Sequence, residues 1–175
     1  MIFDIKMGEN FRRKARMVAG GHTMETPDAL TYASVVSRDS VRIALNIAAL
    51  NDFKVLAFNI QNAYLTAKFR EKIWTIAGTE FGSYTGKIMI VVRALYGLKS
   101  SGAVFKALLD ETLYDIGYTL SKADPDVWLR SAVKTDGFEY YEMILFYVDD
   151  VLSILHDAMK TMKGIQHTFN LGRRS

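Results

Sequence analysis

The amino-acid sequence predicts an α+β domain, with a mostly antiparallel sheet and helices covering one of its faces. Strand-like runs rich in β-branched and aromatic residues dominate the middle of the chain. Three other stretches place apolar residues at the 3,4 spacing of an amphipathic helix. With 175 residues, half of them hydrophobic, the chain is long enough to bury a substantial core.

Composition and charge exclude several classes of protein. The apolar content is too high for a disordered segment. No apolar run approaches the ~20 residues that span a bilayer, and no signal-peptide pattern opens the chain, so we expect no membrane partner. The absence of cysteine excludes disulfides and thiolate zinc sites. A net charge of +3 tolerates a polyanionic partner without requiring one.

The first strong pattern along the chain is a cluster of four cations within residues 12–16. A basic cluster is most often only a solvated face. The alternation of Lys14, Arg16 and Val18 equally suits a hairpin strand that presents cations on one side, where they would contact phosphate groups. The residues leave both interpretations open.

A helix is predicted at residues 40–50, with Ser37 or Asp39 as its N-cap. Its inward stripe is predicted from the 3,4 spacing of Val41, Ala44, Leu45 and Ala48. Residues 55–60 follow as a strand that is apolar on both faces, which is typical of a central strand.

Two further strands are predicted at residues 73–77 and 88–93, on either side of a loop that contains Gly, Ser and Thr. A second helix is predicted at residues 103–116 and ends before Gly117, because glycine readily adopts the left-handed conformation of a helix C-terminus. Its inward positions are Val104, Leu108, Leu109, Leu113 and Ile116.

The last third of the chain predicts a short strand at residues 127–130, a turn at 134–137, and a hairpin formed by residues 140–148 and 151–155. A final helix is indicated by the spacing of Met159, Met162, Ile165 and Phe169. Such a stripe is much more often part of a core than a binding face.

Asp149 and Asp150 lie between the two apolar runs of this hairpin and are predicted to form its tight turn. Acidic residues at a turn are usually a solvated tip, because Asp hydrogen-bonds nearby backbone. A metal site is the alternative, since two carboxylates on a rigid hairpin supply the hard oxygen ligands that divalent cations prefer. These residues taken alone leave both readings open.

Five segments together resemble, in order and spacing, the reverse transcriptase of copia-type retrotransposons. They are Lys14-Ala15-Arg16-Met17-Val18-Ala19, Asn59-Ile60-Gln61-Asn62-Ala63-Tyr64-Leu65, Leu95-Tyr96-Gly97-Leu98-Lys99, Lys122-Ala123-Asp124-Pro125 and Tyr147-Val148-Asp149-Asp150. The resemblance covers about residues 11–170. It implies the fingers and palm of a right-hand polymerase, which extends a primer on an RNA or DNA template from deoxynucleoside triphosphates with two Mg²⁺ ions.

The resemblance also implies a division into subdomains. Residues 1–54 and 67–94 would form the fingers, and residues 55–66 and 95–157 the palm. Residues 158–175 would begin a truncated connection to the thumb, which is expected to be missing. Intact members of the family would work inside the cell, in cytoplasmic particles or the nucleus.

The nucleotide-binding positions that the resemblance implies are Asn62, Ala63, Tyr64, Gly97, Lys14 and Arg16. The backbone N–H groups of Asn62 and Ala63 would contact the triphosphate. Tyr64 would lie under the sugar and disfavour a 2′-hydroxyl, although a buried aromatic at a strand end explains this residue equally well. Gly97 would let template and incoming base approach the backbone, and the two cations would lie near triphosphate or template.

Metal binding and catalysis are implied for Asp149, less directly for Asp150, and for an aspartate at the position of Asn59. An amide oxygen can bind magnesium, but it has no formal charge and cannot bridge two ions. We therefore predict that Asn59 lies opposite the acidic pair and that polymerase activity is low or absent. The alternatives are a non-catalytic nucleic-acid-binding remnant and a degenerate fragment with no function beyond folding.

Overall fold

The computed structural model of the chain describes residues 2–6, 12–21, 31–156 and 158–173. It divides into two units, each built from two stretches of chain. Unit 1 comprises residues 1–32 and 64–105, and unit 2 comprises residues 33–63 and 106–175. The predicted fingers and palm alternate along the chain in a similar way but with other boundaries, and their assignment stays a prediction.

The strands in chain order are β1 (Ile2–Lys6), β2 (Arg12–Arg16), β3 (Lys54–Ile60), β4 (Trp74–Ile76), β5 (Ile88–Ile90), β6 (Thr119–Leu120), β7 (Val127–Val133), β8 (Glu139–Tyr147), β9 (Asp150–Leu155) and β10 (Leu171–Arg173). The α-helices are α1 (Arg38–Leu50), α2 (Ala63–Thr66), α3 (Ser101–Asp115) and α4 (Ala158–Thr168). A 3₁₀ segment, Thr79–Tyr84, lies between β4 and β5.

Unit 2 contains a six-stranded sheet in the order β10-β3-β9-β8-β7-β6, and every pairing in it is antiparallel. Unit 1 contains two antiparallel ribbons, β1–β2 and β4–β5. The predicted antiparallel sheet is therefore confirmed. Over the described ranges, no helix has the length and apolar character needed to cross a membrane.

Helices pack on both faces of the unit 2 sheet, so the prediction that they cover one face is wrong. On one face, α1 packs against a core cluster that includes Leu145. On the other, the ring of Tyr114 in α3 lies 4.8 Å from that of Trp128, and Thr161 in α4 accepts a hydrogen bond from Arg130. Successive residues of a strand point to opposite faces of the sheet. Because β7 has side chains on both faces that must be shielded from water, helices pack on both.

Helix α1 begins where the sequence predicts a cap. The N–H of Ser40 donates to the Ser37 hydroxyl oxygen at 3.0 Å, so Ser37 is the cap residue. Ala44 and Ala48 are buried as predicted, but Leu45 is 42% exposed, and its assignment to the inward stripe is wrong. At about 100° per residue, Leu45 is rotated away from the line that Ala44 and Ala48 define.

The two strands of the central hairpin are present, but each begins one residue earlier than predicted, and the neighbouring strands also differ in detail. β3 pairs with β9 and with β10, which confirms that it is an interior strand, although Val55 is 43% exposed. β7 continues to Val133, beyond the predicted end at residue 130, because it stays paired with β8 over its whole length. β1, β6 and β10 had no recognisable pattern in the sequence.

Helix α3 begins two residues earlier than predicted and adds Phe105 to the buried positions. Leu109 and Leu113 are buried as predicted, and Gly117 follows the helix with a φ of 86°. In α4 the predicted stripe is confirmed at Ile165, and Phe169 is buried just beyond the helix. The side chain of Met159 lies outside the described part of the chain.

Asp124 fixes the start of α1 to the loop before β7. Its carboxylate accepts hydrogen bonds from the Ser37 N–H at 3.0 Å, the Ser40 hydroxyl at 2.6 Å and the Asp126 N–H at 3.0 Å. Burial alone would raise the pKa of Asp124, but the three donors outweigh it and hold the pKa below its ordinary value of 3.8. The ionised form is therefore part of the folded structure.

We expect Asp124→Asn to lower the free energy of unfolding by about 1–3 kcal/mol at neutral pH, because an amide offers one acceptor oxygen where the carboxylate offers two. A lowered folded pKa gives stability that is complete above the unfolded pKa and is lost as pH falls through the folded pKa. The free energies of unfolding of wild type and variant in urea should therefore begin to converge as the pH falls below about 4 and meet below the folded pKa. Ser40→Ala should lower the free energy of unfolding by a smaller amount. If the difference between wild type and Asp124→Asn stays constant with pH, the role assigned to the ionised Asp124 carboxylate is contradicted.

In unit 1, two glycines allow the segment after β2 to cross the turn before α3. The Ala19 N–H donates to the Tyr96 carbonyl at 2.8 Å, and Val18 pairs with Tyr96 in a parallel bridge. A Cβ on Gly97 would overlap the Ala19 carbonyl oxygen, and one on Gly21 would overlap the Gly97 carbonyl. Gly97 also has a φ of +92°, which side chains strongly disfavour.

Gly97→Ala is expected to destabilise the protein by roughly 2–5 kcal/mol, since strain at positive φ adds to overlap with backbone that cannot rotate away. Gly86→Ala is the matched control in the same unit, because Gly86 has a φ of +80° with open space around its Cβ position. It should lose only about 1–2 kcal/mol. Equal losses in urea unfolding would mean that the crossing of the two segments contributes nothing.

Candidate active site

The acidic hairpin turn lies one residue earlier than the sequence predicts. Tyr147 pairs with Asp150, so the two-residue turn is Val148-Asp149 and not Asp149-Asp150. Asp150 is the first residue of β9, because it pairs with Tyr147 on one side and with Asn59 on the other. The two carboxylates therefore differ in support, one on the turn and one on a strand.

Val148 has a φ of 58°, a conformation that a β-branched residue rarely adopts. Positive φ at the first turn residue and not at the second is the pattern of a type II′ turn, which normally has glycine there. Such strain costs on the order of 1–3 kcal/mol and persists only where surrounding structure enforces it. Pattern reasoning missed Val148 because nothing in the local sequence indicates this conformation.

Asn59 lies opposite the acidic pair, as predicted. Its amide nitrogen is 2.9 Å from Oδ2 of Asp149 and 3.2 Å from Oδ1 of Asp150, and it donates to both. The Ile60 N–H donates to the Asp149 carbonyl oxygen at 2.7 Å, so backbone and side chain both tie the turn to β3. All three side chains are half-buried at one end of the sheet. The predicted proximity is confirmed, and the chemical roles stay predictions.

The donor set at this turn fits part of a divalent metal site. Asp149 and Asp150 offer carboxylate oxygens, the ligands that magnesium prefers. Asn59 offers N–H groups to the same space, and these cannot bind a cation. Across the described ranges, no three His, Cys, Asp or Glu side chains gather as a metal-binding group. The residues present fit one ion on two carboxylates and lack a third carboxylate.

The predicted nucleotide-binding residues are divided between the two units. Asn62 and Ala63 belong to unit 2, immediately after β3. Asn62 is exposed with a φ of 53°, and Ala63 is fully buried at the start of α2. The four other predicted residues, Tyr64, Gly97, Lys14 and Arg16, belong to unit 1.

Tyr64 is half-buried in an aromatic cluster of unit 1. Its ring lies 4.6 Å from that of Tyr96 and 5.9 Å from that of Phe105, with the second pair edge-to-face. Both interpretations of Tyr64 remain compatible with this packing, because a fixed ring can also present its edge to a ligand. The contact of Phe105 with Tyr64 was not predicted, although the helix that contains Phe105 was.

The structure accounts for the positions of three predicted nucleotide-binding residues without a nucleotide or template. They are Gly97, Lys14 and Arg16. The close backbone approach at Gly97 is made by Ala19 of the same chain. Lys14 lies on β2 opposite Asp4, and its side chain is outside the described part; Arg16 is exposed at the end of that strand. The predicted β-hairpin strand is confirmed, whereas contacts with nucleotide or template stay predictions.

Comparison with known proteins finds a match over residues 2–171 to the family described as reverse transcriptase (RNA-dependent DNA polymerase). The chain is 26% identical over 164 residues to the retrovirus-related Pol polyprotein from transposon RE1 of Arabidopsis thaliana, with 86% of this chain and 11% of that protein covered. It is also 26% identical over 151 residues to the corresponding polyprotein from transposon TNT 1-94 of Nicotiana tabacum, covering 83% and 11%. The chain thus spans about a tenth of the length of these relatives. No solved structure matches it.

Proposed function

Because this chain belongs to the reverse transcriptases of copia-type retrotransposons, we propose that it forms the fingers and palm of a templated DNA polymerase whose activity is impaired at Asn59. The observation that carries the proposal is the hydrogen bonding of Asn59 to both Asp149 and Asp150. The relatives extend far beyond the matched segment, so the predicted lack of a thumb stays a prediction.

In this proposal, Asp149 and Asp150 are the residues that would hold magnesium. When bound at such a site, magnesium neutralises charge on the attacking and leaving oxygens of phosphoryl transfer. Asp150 is held in the sheet by strand pairing on both sides. Asp149 is held by the hydrogen bond that its carbonyl oxygen accepts from the Ile60 N–H of β3. The protein supplies rigid placement of these oxygens, which is most of what phosphoryl transfer requires of it.

Impairment follows from the charge and the donor pattern at position 59. A carboxylate there would add a third negative ligand facing the other two. Asn59 adds none, and its N–H groups already occupy one oxygen of each aspartate. Binding of a second ion is therefore opposed twice, by lost attraction and by hydrogen bonds that must break.

The distribution of charge supports a nucleic-acid partner for unit 1. This unit carries eleven Lys or Arg against six Asp or Glu, whereas unit 2 carries eleven against thirteen. Basic surfaces bind phosphate backbones with little regard to sequence. We assign template–primer binding mainly to unit 1, and deoxynucleotide binding to Asn62, Ala63, Tyr64 and Gly97, with Lys14 and Arg16 near the phosphates.

The test is magnesium-dependent primer extension on an RNA template, with wild type and Asn59→Asp compared side by side. Extension by the variant well above wild type supports both the polymerase assignment and the impairment. Wild-type extension that equals the variant overturns the impairment.

A non-catalytic nucleic-acid-binding remnant is the second candidate, and the charge of unit 1 favours it. Filter binding of the same primer–template at low salt distinguishes the two. If Asn59→Asp retains the duplex but extends nothing, the binding remnant is the better description. If neither protein binds the duplex, both candidate functions are excluded.

A further inference from the structure

The orientation of the Asn59 amide is determined by its neighbours. Three oxygen atoms surround its nitrogen: Oδ2 of Asp149 at 2.9 Å, Oδ1 of Asp150 at 3.2 Å and the main-chain oxygen of Asp149 at 3.3 Å. Reversing the amide would place its oxygen against the same three acceptors, with no hydrogen among them. Only the orientation with the nitrogen inward gives attraction.

The two carboxylates need such a donor because they belong to adjacent residues, Asp149 on the turn and Asp150 at the start of β9, and both are half-buried. Like charges at close range repel, and a positively polarised group between them reverses the sign of that interaction. A divalent cation does this at many acidic sites. Here the two N–H groups of Asn59 lie in the corresponding place.

We propose that Asn59 substitutes for a cation at this turn, so that the acidic hairpin is ordered without divalent metal and binds magnesium or manganese only weakly. The inference rests on the proposed function only in taking the turn as the metal site of the family. It concerns what holds Asp149 and Asp150 together, and it does not depend on whether the chain extends primers.

The backbone adds support. Val148 is in a disfavoured conformation, with a φ of 58°, and so requires an external restraint. Asp149 follows Val148 in the turn and accepts hydrogen bonds from the Asn59 side chain and from the Ile60 N–H. These hydrogen bonds hold the turn on β3. An aspartate at position 59 would replace attraction by repulsion, and the turn would then depend on bound cations for its order.

Thermal unfolding in EDTA and in manganese chloride, at matched ionic strength, tests this inference. Wild type is expected to show the same Tm in both. Asn59→Asp should have a lower Tm in EDTA, with a rise of roughly 5–10 °C when manganese is about a hundredfold above its Kd. A wild-type Tm that rises with manganese as much as that of the variant would overturn the inference, as would a variant that is stable in EDTA and insensitive to metal.

Asn59→Ala provides a second route if the aspartate variant does not fold. It removes the donor without adding charge, so its Tm should fall in EDTA and recover in part with manganese. A fall without recovery would mean that Asn59 acts only as a hydrogen-bonding residue and not in place of a cation, which would also overturn the inference. Metal-dependent recovery in Asn59→Asp without primer extension would leave the inference standing and count against the polymerase assignment.

Discussion

Asn59→Asp is expected to raise magnesium-dependent primer extension about a thousand-fold or more over wild type. A unit charge about 4 Å from another contributes roughly 4 kcal/mol at an effective dielectric near 20, and a divalent ion doubles this. Several kcal/mol of that stabilisation acts in the transition state, and each 1.4 kcal/mol is about tenfold in rate. The measurement is single-nucleotide addition to a primer on an RNA template.

The matched control adds Asp149→Asn to the Asn59→Asp variant. This restores the number of carboxylates found in wild type but exchanges the positions of acid and amide, and it should return extension to background. Extension that survives the second substitution would show that the acidic turn is not where the metals act. Asn59→Ala should extend the primer no better than wild type.

The second large effect is expected at a largely buried ion pair between β7 and β8 in unit 2. Arg130 donates to Glu142 through both Nε at 3.0 Å and Nη2 at 2.5 Å, and its Nη1 donates to the Ile116 carbonyl. Glu142 is only 4% exposed and also accepts from the Tyr118 hydroxyl. Burial raises the pKa of Tyr118 above its ordinary value, with the nearby Glu142 carboxylate adding to the effect, so this hydroxyl remains a donor. Thr161 connects the network to α4.

Arg130→Met should lower the free energy of unfolding by about 3–5 kcal/mol, because it leaves the Glu142 carboxylate buried without its counter-charge. In thermal unfolding this corresponds to a fall in Tm of roughly 6–20 °C. The double variant Arg130→Met/Glu142→Leu should recover much of the loss, since neither charge then remains in the interior. A double variant as unstable as the single one would mean that packing, and not the unpaired charge, dominates.

The prediction of helices and of the central hairpin succeeded where the local pattern and the tertiary environment agree. Ser37 caps α1 because its hydroxyl is at the position that a helix start requires, and Gly117 ends α3 because it alone accepts the left-handed conformation cheaply. The prediction that Leu45 faces inward was wrong, because which residues face the core depends on the rotation of α1 against the sheet. The helical period does not determine this rotation.

The candidate site shows the same division between what the local sequence predicts and what the tertiary structure decides. Adjacent aspartates between two apolar runs indicate a hairpin tip, but the register of the two strands decides which residue turns and which pairs. A shift of one residue moved Asp150 from the turn into β9. The aromatic packing joins Tyr64 to Tyr96 and Phe105, which lie 32 and 41 positions further along the chain, and no local pattern contains that information.

By itself, the sequence determined the antiparallel α+β architecture and the family, because periodicity and motif order can be read from residue identities alone. Only the tertiary structure decided that the amide of Asn59 points its nitrogen at both aspartates, that Val148 carries the strain of the turn, and that helices pack on both faces of the sheet. The first of these relates residues 90 and 91 positions apart, and all three are set by strand register and packing.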